Sequence, residues 1–201
     1  MTTPSDLPIP SEPPHLPENL TFLGPAPLIQ GEEISGYDTL LARISGAVKP
    51  ADILEEIWVR DVVDLVWDAI RLRRWKAALI TASVDEGMQR VLLRFDVRDF
   101  IGVAKRWAAR DEETVREIDA LFTSAGLTMD AVMAQTLRLL VGEIERIDRM
   151  IMSAEARRNA ALRELERHRA GFAQTLRRVA QEVQTVEDAE FEVVAPAEQA
   201  A

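Results

Sequence analysis

The sequence contains no cysteine and only two histidines. The absence of cysteine excludes disulfides, thiolate zinc sites, cysteine-bound iron–sulfur clusters and cysteine nucleophiles. Neither His15 nor His168 stands in the Glu-x-x-His pattern that a di-metal helical bundle uses. We therefore expect no metal site, and several large enzyme classes are excluded.

Motifs of phosphate, acyl-transfer and metal chemistry are also absent from the sequence. It has no glycine-rich phosphate loop, no Gly-x-Ser-x-Gly elbow, no His-Glu-x-x-His pair and no aspartate-rich calcium loop. We therefore expect a non-enzymatic protein that needs no cofactor.

Long hydrophobic runs are missing as well. No stretch reaches the roughly 18 to 20 apolar residues of a membrane span, and the opening MTTPSDLPIP lacks the basic region of a signal peptide. We expect a cytoplasmic protein without membrane contact. The excess of arginine over lysine, beside abundant alanine, is typical of a GC-rich bacterial genome.

The charge balance is acidic. The 201 residues include 34 acidic and 24 basic side chains, for a net charge of −10, and 47% of the residues are apolar. This apolar content is enough for a folded core. The net charge argues against a surface that binds nucleic acid or anionic lipid all over, so any such role must be local.

Proline is concentrated at the N-terminus, where eight of the ten prolines lie between Pro4 and Pro27. Because proline fixes φ and removes an amide donor, residues 1–33 are predicted to be a disordered, extended arm. The alternative is a docking peptide whose apolar residues enter a partner's groove: Leu7, Ile9, Leu16, Leu20, Phe22 and Leu23. At the other end, residues 184–201 carry five acidic residues and no basic one, which predicts a disordered acidic tail.

Between these ends the apolar residues recur at spacings of three and four, which predicts an all-α fold. A helical body is expected over residues 35–125. Ser35 with Asp38 predicts the start of a first helix, and Gly46 and Pro50 are expected to end it. A long amphipathic helix is predicted from Ala51 onward.

Further boundary signals follow along the body. Ser83 with Glu86 is a capping signal beside Gly87, so the pattern there fits either one helix or two. Asp96 with Asp99 marks the start of a later segment, and Gly126 is placed to end the body as a C′ glycine.

From Thr128 the sequence predicts one long, partly coiled-coil helix over residues 128–183. At 1.5 Å per residue it would be about 84 Å long, whereas a compact domain of this size has a radius of gyration of about 16 Å. Part of the helix must therefore project or pair with another chain. The predicted self-association seam consists of Leu137, Leu140, Ile144, Ile147, Ile151, Leu165, Phe172, Leu176 and Val179.

An arginine-rich stretch lies within this helix, over residues 157–178. Its seven arginines and two glutamates give +5 in a protein of −10. Such a helix can follow a phosphate backbone, or it can meet an acidic segment or line a coiled-coil flank. The possible nucleic-acid contacts are Arg157, Arg158, Arg163, Arg167, Arg169, Arg177 and Arg178.

Two further groups of polar residues could carry a function. Asp61, Asp64 and Asp68 share a helix face, which is typical of a solvated face and can also hold Mg²⁺. His168 follows Glu164 by four residues, which predicts an ordinary pair on a helix surface.

The segments ILEEIWVRDVVDLVWDAIRLRRWKAALI and IERIDRMIMSAEARRNAALRELERHRA resemble an uncharacterised group of helical proteins found in alphaproteobacterial genomes. The resemblance covers residues from about 37 to 194. It implies a bacterial origin and a helical architecture, and it supplies no site residues.

Together these patterns predict a helical scaffold or interaction protein. Its long C-terminal helix is expected to self-associate into a homo-oligomer or to dock on a protein partner. The alternative is a nucleic-acid-associated regulator that uses the arginine-rich stretch.

Overall fold

The computed structural model describes residues 23–190, and their side chains up to residue 184. These residues form helices and connecting turns without any strand, so the all-α prediction is confirmed. The helices are α1 (Ile34–Val48), α2 (Ile53–Ala82), α3 (Val84–Leu92), α4 (Phe100–Ala108), α5 (Glu112–Ala125), α6 (Met129–Leu139) and α7 (Val141–Glu190), with a 3₁₀ turn at Leu93–Phe95. No helix within the described range is long and apolar enough to cross a bilayer.

The described residues divide into two units. The central unit is Val63–Arg157. The discontinuous unit consists of the residues before Val63 together with those after Arg157. Helices α2 and α7 each contribute to both units.

The central unit has its core among α3, α4, α5 and α6. Gly87 of α3 lies where a Cβ atom would be 2.8 Å from the carbonyl oxygen of Val132 and closer still to the hydroxyl of Thr136. Only glycine therefore permits this approach of α3 to α6. The buried cluster consists of Met88, Val91, Leu92, Ala104, Trp107, Ile118, Phe122 and Val132.

The discontinuous unit contains α1, the start of α2 and the later part of α7. Tyr37 is 1% exposed, and the guanidinium of Arg60 lies 5.3 Å from the centre of its ring. Arg60 Nη2 also donates a hydrogen bond of 2.9 Å to the carbonyl oxygen of Pro25. This contact fixes part of segment 23–33 against α2. The rest of the predicted arm, residues 1–22, and the end of the acidic tail, residues 191–201, lie outside the described residues.

The boundaries of α1 differ from the prediction. The helix begins at Ile34 after Glu33, whose side chain makes no cap, and it continues through Gly46 to Val48. It ends at Lys49, which has a φ of 50° and donates its amide to the carbonyl oxygen of Ser45. Gly46 does not end the helix, because the left-handed turn that closes it is made by Lys49, directly before Pro50.

Several other boundary signals are confirmed. Asp99 caps α4 by accepting from the amide of Gly102, and Thr128 caps α6 by accepting from that of Asp130. Gly126 ends α5 with a φ of 64°. The chain forms two helices on either side of Ser83, but the predicted cap is not made there, because the Ser83 side chain accepts no capping hydrogen bond.

The helix predicted over residues 128–183 is two helices in the structure. Leu140, with φ −98° and ψ 7°, separates α6 from α7. Val132 and Thr136 are fully buried where α6 packs on α3, and Leu140 is 8% exposed. Packing against α3 therefore overrides the continuous helical pattern. Helix α7 then runs to Glu190, past the predicted end, because no proline or glycine interrupts it there.

Candidate interaction surface on the C-terminal helix

An ion pair between Glu55 and Arg169 holds α7 to the start of α2. Arg169 donates from Nε to one carboxylate oxygen and from Nη2 to the other, each at 2.8 Å. Its Nη2 also donates to the carbonyl oxygen of Val48 at 2.8 Å. Glu55 is only 2% exposed, and the amide of Ala51 donates to it at 2.9 Å. The guanidinium therefore lowers the pKa of Glu55, and the carboxylate raises the pKa of Arg169.

Asp52 and His168 form a second contact between the same helices. Asp52 begins α2 by accepting from the amides of Leu54 and Glu55 at 2.9 and 3.0 Å. Its other oxygen lies 2.6 Å from Nε2 of His168, whose ring meets the edge of Trp58 at 5.4 Å between centroids. The amide of Glu55 and then His168 lower the pKa of Asp52. The sequence prediction that His168 pairs with Glu164 is wrong, because His168 turns to Asp52 and Glu164 binds Arg167.

Asp52, Glu55 and His168 bring potential ligand atoms within 4.8 Å of one another. Both oxygens of Glu55, however, already accept hydrogen bonds from the Arg169 guanidinium. A cation at this point would meet that positive charge. The arrangement is therefore suited to joining two helices rather than to holding a metal.

The aspartate face proposed from the sequence does not form such a group. Asp68 binds Arg71 at 2.5 Å. Among the described residues, the one group whose potential ligand atoms converge is Asp52, Glu55 and His168. It includes none of the three aspartates Asp61, Asp64 and Asp68.

The arginine-rich stretch is partly engaged by neighbouring side chains. Besides Arg169, Arg167 binds Glu164 at 2.5 Å, and Arg178 lies 3.9 Å from Glu182. Arg158 donates to the side chain of Asn159 at 3.0 Å. The remaining three, which are exposed, are Arg157, Arg163 and Arg177.

The predicted seam separates into a covered part and an exposed part. Ile151 and Leu165 are 9% and 6% exposed, and Ile144 and Ile147 are half-buried. Leu137, by contrast, belongs to α6 and is 44% exposed. The covered residues stabilise the chain's own fold and are not available to another copy.

Beyond Arg169 the same face of α7 is exposed. Phe172, Leu176, Val179 and Val183 are 62%, 53%, 47% and 55% exposed. Their spacing of four, three and four residues places them on one side of the helix. We call these four residues the distal stripe. It begins beside an open pocket of about 360 Å³ that is lined by Trp58, Glu164, Arg167, His168, Gly171 and Phe172.

Sequence reasoning missed the pair of Glu55 and Arg169, which are 114 positions apart. A signal for each residue is nevertheless present. Glu55 is four residues before buried Val59, and Arg169 is four residues after buried Leu165, so both charges interrupt apolar faces. Two opposite charges at such positions predict a buried ion pair between the helices.

Comparisons of the chain with protein-family models, with curated proteins and with solved structures find no match.

Proposed function

We propose that this protein is a non-enzymatic interaction or scaffolding protein that self-associates through the distal stripe of α7. The observation that carries the proposal is the exposure of four large apolar side chains on one face of one helix. Scattered apolar residues are common on protein surfaces, but a continuous row at coiled-coil spacing is typical of a helix that pairs with another.

The free energy for pairing would come from removing this stripe from water. Burial of apolar surface contributes about 25 cal/mol per Å². The stripe spans three turns of helix, so the interface is short and the association should depend on concentration. The anchor at Glu55 and Arg169 supports the proposal because it fixes α7 immediately before the stripe begins.

Nucleic-acid binding is the second candidate. It is supported by the exposure of Arg157, Arg163 and Arg177 on α7. The other four arginines of the stretch have protein partners, which reduces the charge that a phosphate backbone would meet.

Light scattering after size exclusion tests the two candidates together, over a range of loading concentrations and with absorbance at 260 and 280 nm. We expect a mass above that of the 22.5 kDa chain, rising with concentration, with a protein-like absorbance ratio. A mass of one chain at every concentration would contradict self-association. Excess absorbance at 260 nm, removed by nuclease or high salt, would favour the nucleic-acid candidate.

Paired substitutions locate the interface. Leu176→Glu and Val179→Glu would bury a charge without a partner, so each should return the mass to that of a single chain. Gln174→Glu and Gln181→Glu add the same charge to the opposite, exposed face of the same turns, and these controls should leave the mass unchanged. Equal effects of stripe and control variants would contradict the location.

A further inference from the structure

We propose that the occupant of the distal stripe is a second copy of this chain that lies antiparallel to the first, with Phe172 opposite Val183 of the other copy. This inference rests on the proposed self-association and adds its direction and register. Four properties bear on this arrangement: the first permits it, and the other three favour it over a parallel pair.

The spacing of the stripe is the first property. The intervals of four, three and four residues read the same in both directions along the helix. An antiparallel copy therefore presents its stripe in the same register, with Leu176 facing Val179 of the other copy. All four side chains of each copy meet an apolar side chain in this arrangement.

The sizes of the side chains are the second property. Antiparallel pairing combines a larger with a smaller residue at each level: Phe172 with Val183, and Leu176 with Val179. A parallel pair would place phenylalanine on phenylalanine at one end and valine on valine at the other. Because helical cores fill best when large side chains face small ones, the antiparallel pair leaves neither overcrowding nor a gap.

The position of the α1–α2 junction is the third property. Arg169 lies one helical turn before Phe172, and its Nη2 donates to the carbonyl oxygen of Val48. The junction therefore covers the seam face just before the stripe. In a parallel pair the two junctions would meet at the same level between the helices, whereas antiparallel copies place them at opposite ends.

The charge along α7 is the fourth property. Residues 179–190 carry four acidic residues and no basic one. In the proposed register, antiparallel pairing places them opposite residues 165–176 of the other copy, which include Arg167, Arg169 and a single glutamate. Parallel pairing would bring like charges together.

The flanking residues are compatible with this contact. Ala173 and Ala180 lie beside the stripe on one edge, and Thr175 and Glu182 lie on the other. The alanines allow close approach of the helices, and across an antiparallel pair Thr175 faces Glu182 of the other copy. Along the four residues of the stripe, no like charges meet at either edge.

Single-cysteine variants of the full chain test the direction, because the natural sequence contains no cysteine. Phe172→Cys and Val183→Cys are mixed and oxidised, with one of the two carrying a mass tag. The mixture should give at least about tenfold more cross-linked dimer than either variant alone. In the antiparallel pair, position 172 of one copy faces position 183 of the other. Position 172 lies about 16 Å along the helix axis from position 172 of the other copy, and the same holds for position 183.

Gln174→Cys and Gln181→Cys are the matched control, because they stand at facing levels but on the outward side of α7. This pair should not cross-link. Leu176→Cys mixed with Val179→Cys repeats the test with Phe172 in place, in case loss of the phenylalanine weakens the pair.

The outcomes separate the two proposals. Cross-linking of Phe172→Cys alone and of Val183→Cys alone, as strong as in their mixture, means a parallel pair and overturns the inference. A dimer by light scattering in which neither stripe pair cross-links also overturns it. If the unsubstituted chain has the mass of one copy throughout, the proposed function itself fails.

Discussion

The guanidinium of Arg169 donates two hydrogen bonds of 2.8 Å to the carboxylate of Glu55, across 114 positions of the sequence. The pair is asymmetric, since the Glu55 side chain is 3% exposed and that of Arg169 is 43% exposed. Loss of the arginine would leave a charge buried in a poorly hydrated place, whereas loss of the glutamate would leave a charge that water can still reach.

Arg169→Ala should therefore lower the free energy of unfolding by about 2 kcal/mol, less than for a fully buried pair because one partner is partly solvated. Glu55→Gln should cost less than Arg169→Ala, since a neutral amide can still hydrogen-bond the arginine. Urea unfolding at pH 7 measures both. A smaller loss for Arg169→Ala than for Glu55→Gln would contradict the asymmetry.

Acid should weaken the same contact. The pKa of Glu55 is lower in the folded protein than in the unfolded chain, so its contribution is complete above the unfolded value of about 4.3 and is lost as the pH falls through the folded value. The melting temperature of the natural chain should drop over this interval. Glu55→Gln should start lower at pH 7, show a shallower drop, and approach the natural chain in acid. The melting temperature of Glu55→Gln should still fall somewhat in acid, because other carboxylates, including Asp52 and Asp111, also have lowered pKa values.

A methyl group at Gly87 should disturb the central unit. In Gly87→Ala the new Cβ would meet Thr136 and the backbone of Val132 at distances below normal contact, which should destabilise the protein by about 2 kcal/mol. Gly46→Ala is the control, because nothing lies within 4 Å of its Cβ position. This change inside α1 should stabilise by about 0.5 to 1 kcal/mol. Thermal melts of the two variants should shift in opposite directions.

The cap of α5 offers a smaller, local effect. Asp111 accepts from the amide of Thr114 at 3.0 Å and from its hydroxyl at 2.6 Å. Asp111→Ala should cost about 1 kcal/mol, and Asp111→Asn should retain most of the stability because asparagine caps helices nearly as well. Equal losses in the two variants, measured by urea unfolding, would show that charge rather than capping matters here.

The fold could be predicted from sequence wherever its cause is local. Caps such as Asp99 and Thr128, and the C′ residue Gly126, act within a few residues, and each marks the boundary that the structure has. The break at Leu140 could not be predicted, because it depends on how α6 meets α3 at Gly87. A helical pattern alone continues through that position.

The candidate surface could be predicted only in part. The seam was visible as a periodic row, but periodicity cannot tell Leu165, which is covered by its own chain, from Leu176, which is exposed. The difference arises because the α1–α2 junction lies over α7 only as far as Arg169. That limit is set by a tertiary contact between residues 114 positions apart, which a periodic pattern along one helix does not show.

The discontinuous unit has a consequence for the order of folding during synthesis. The central unit, Val63–Arg157, is one uninterrupted segment, so all of its residues leave the ribosome before Arg169 does. Glu55 emerges before the central unit, and its partner follows 114 residues later. The nascent chain therefore carries the Glu55 carboxylate without its arginine, and an uncovered start of α2, until Arg169 has emerged, so the anchor of α7 can form only after the whole central unit has left the ribosome.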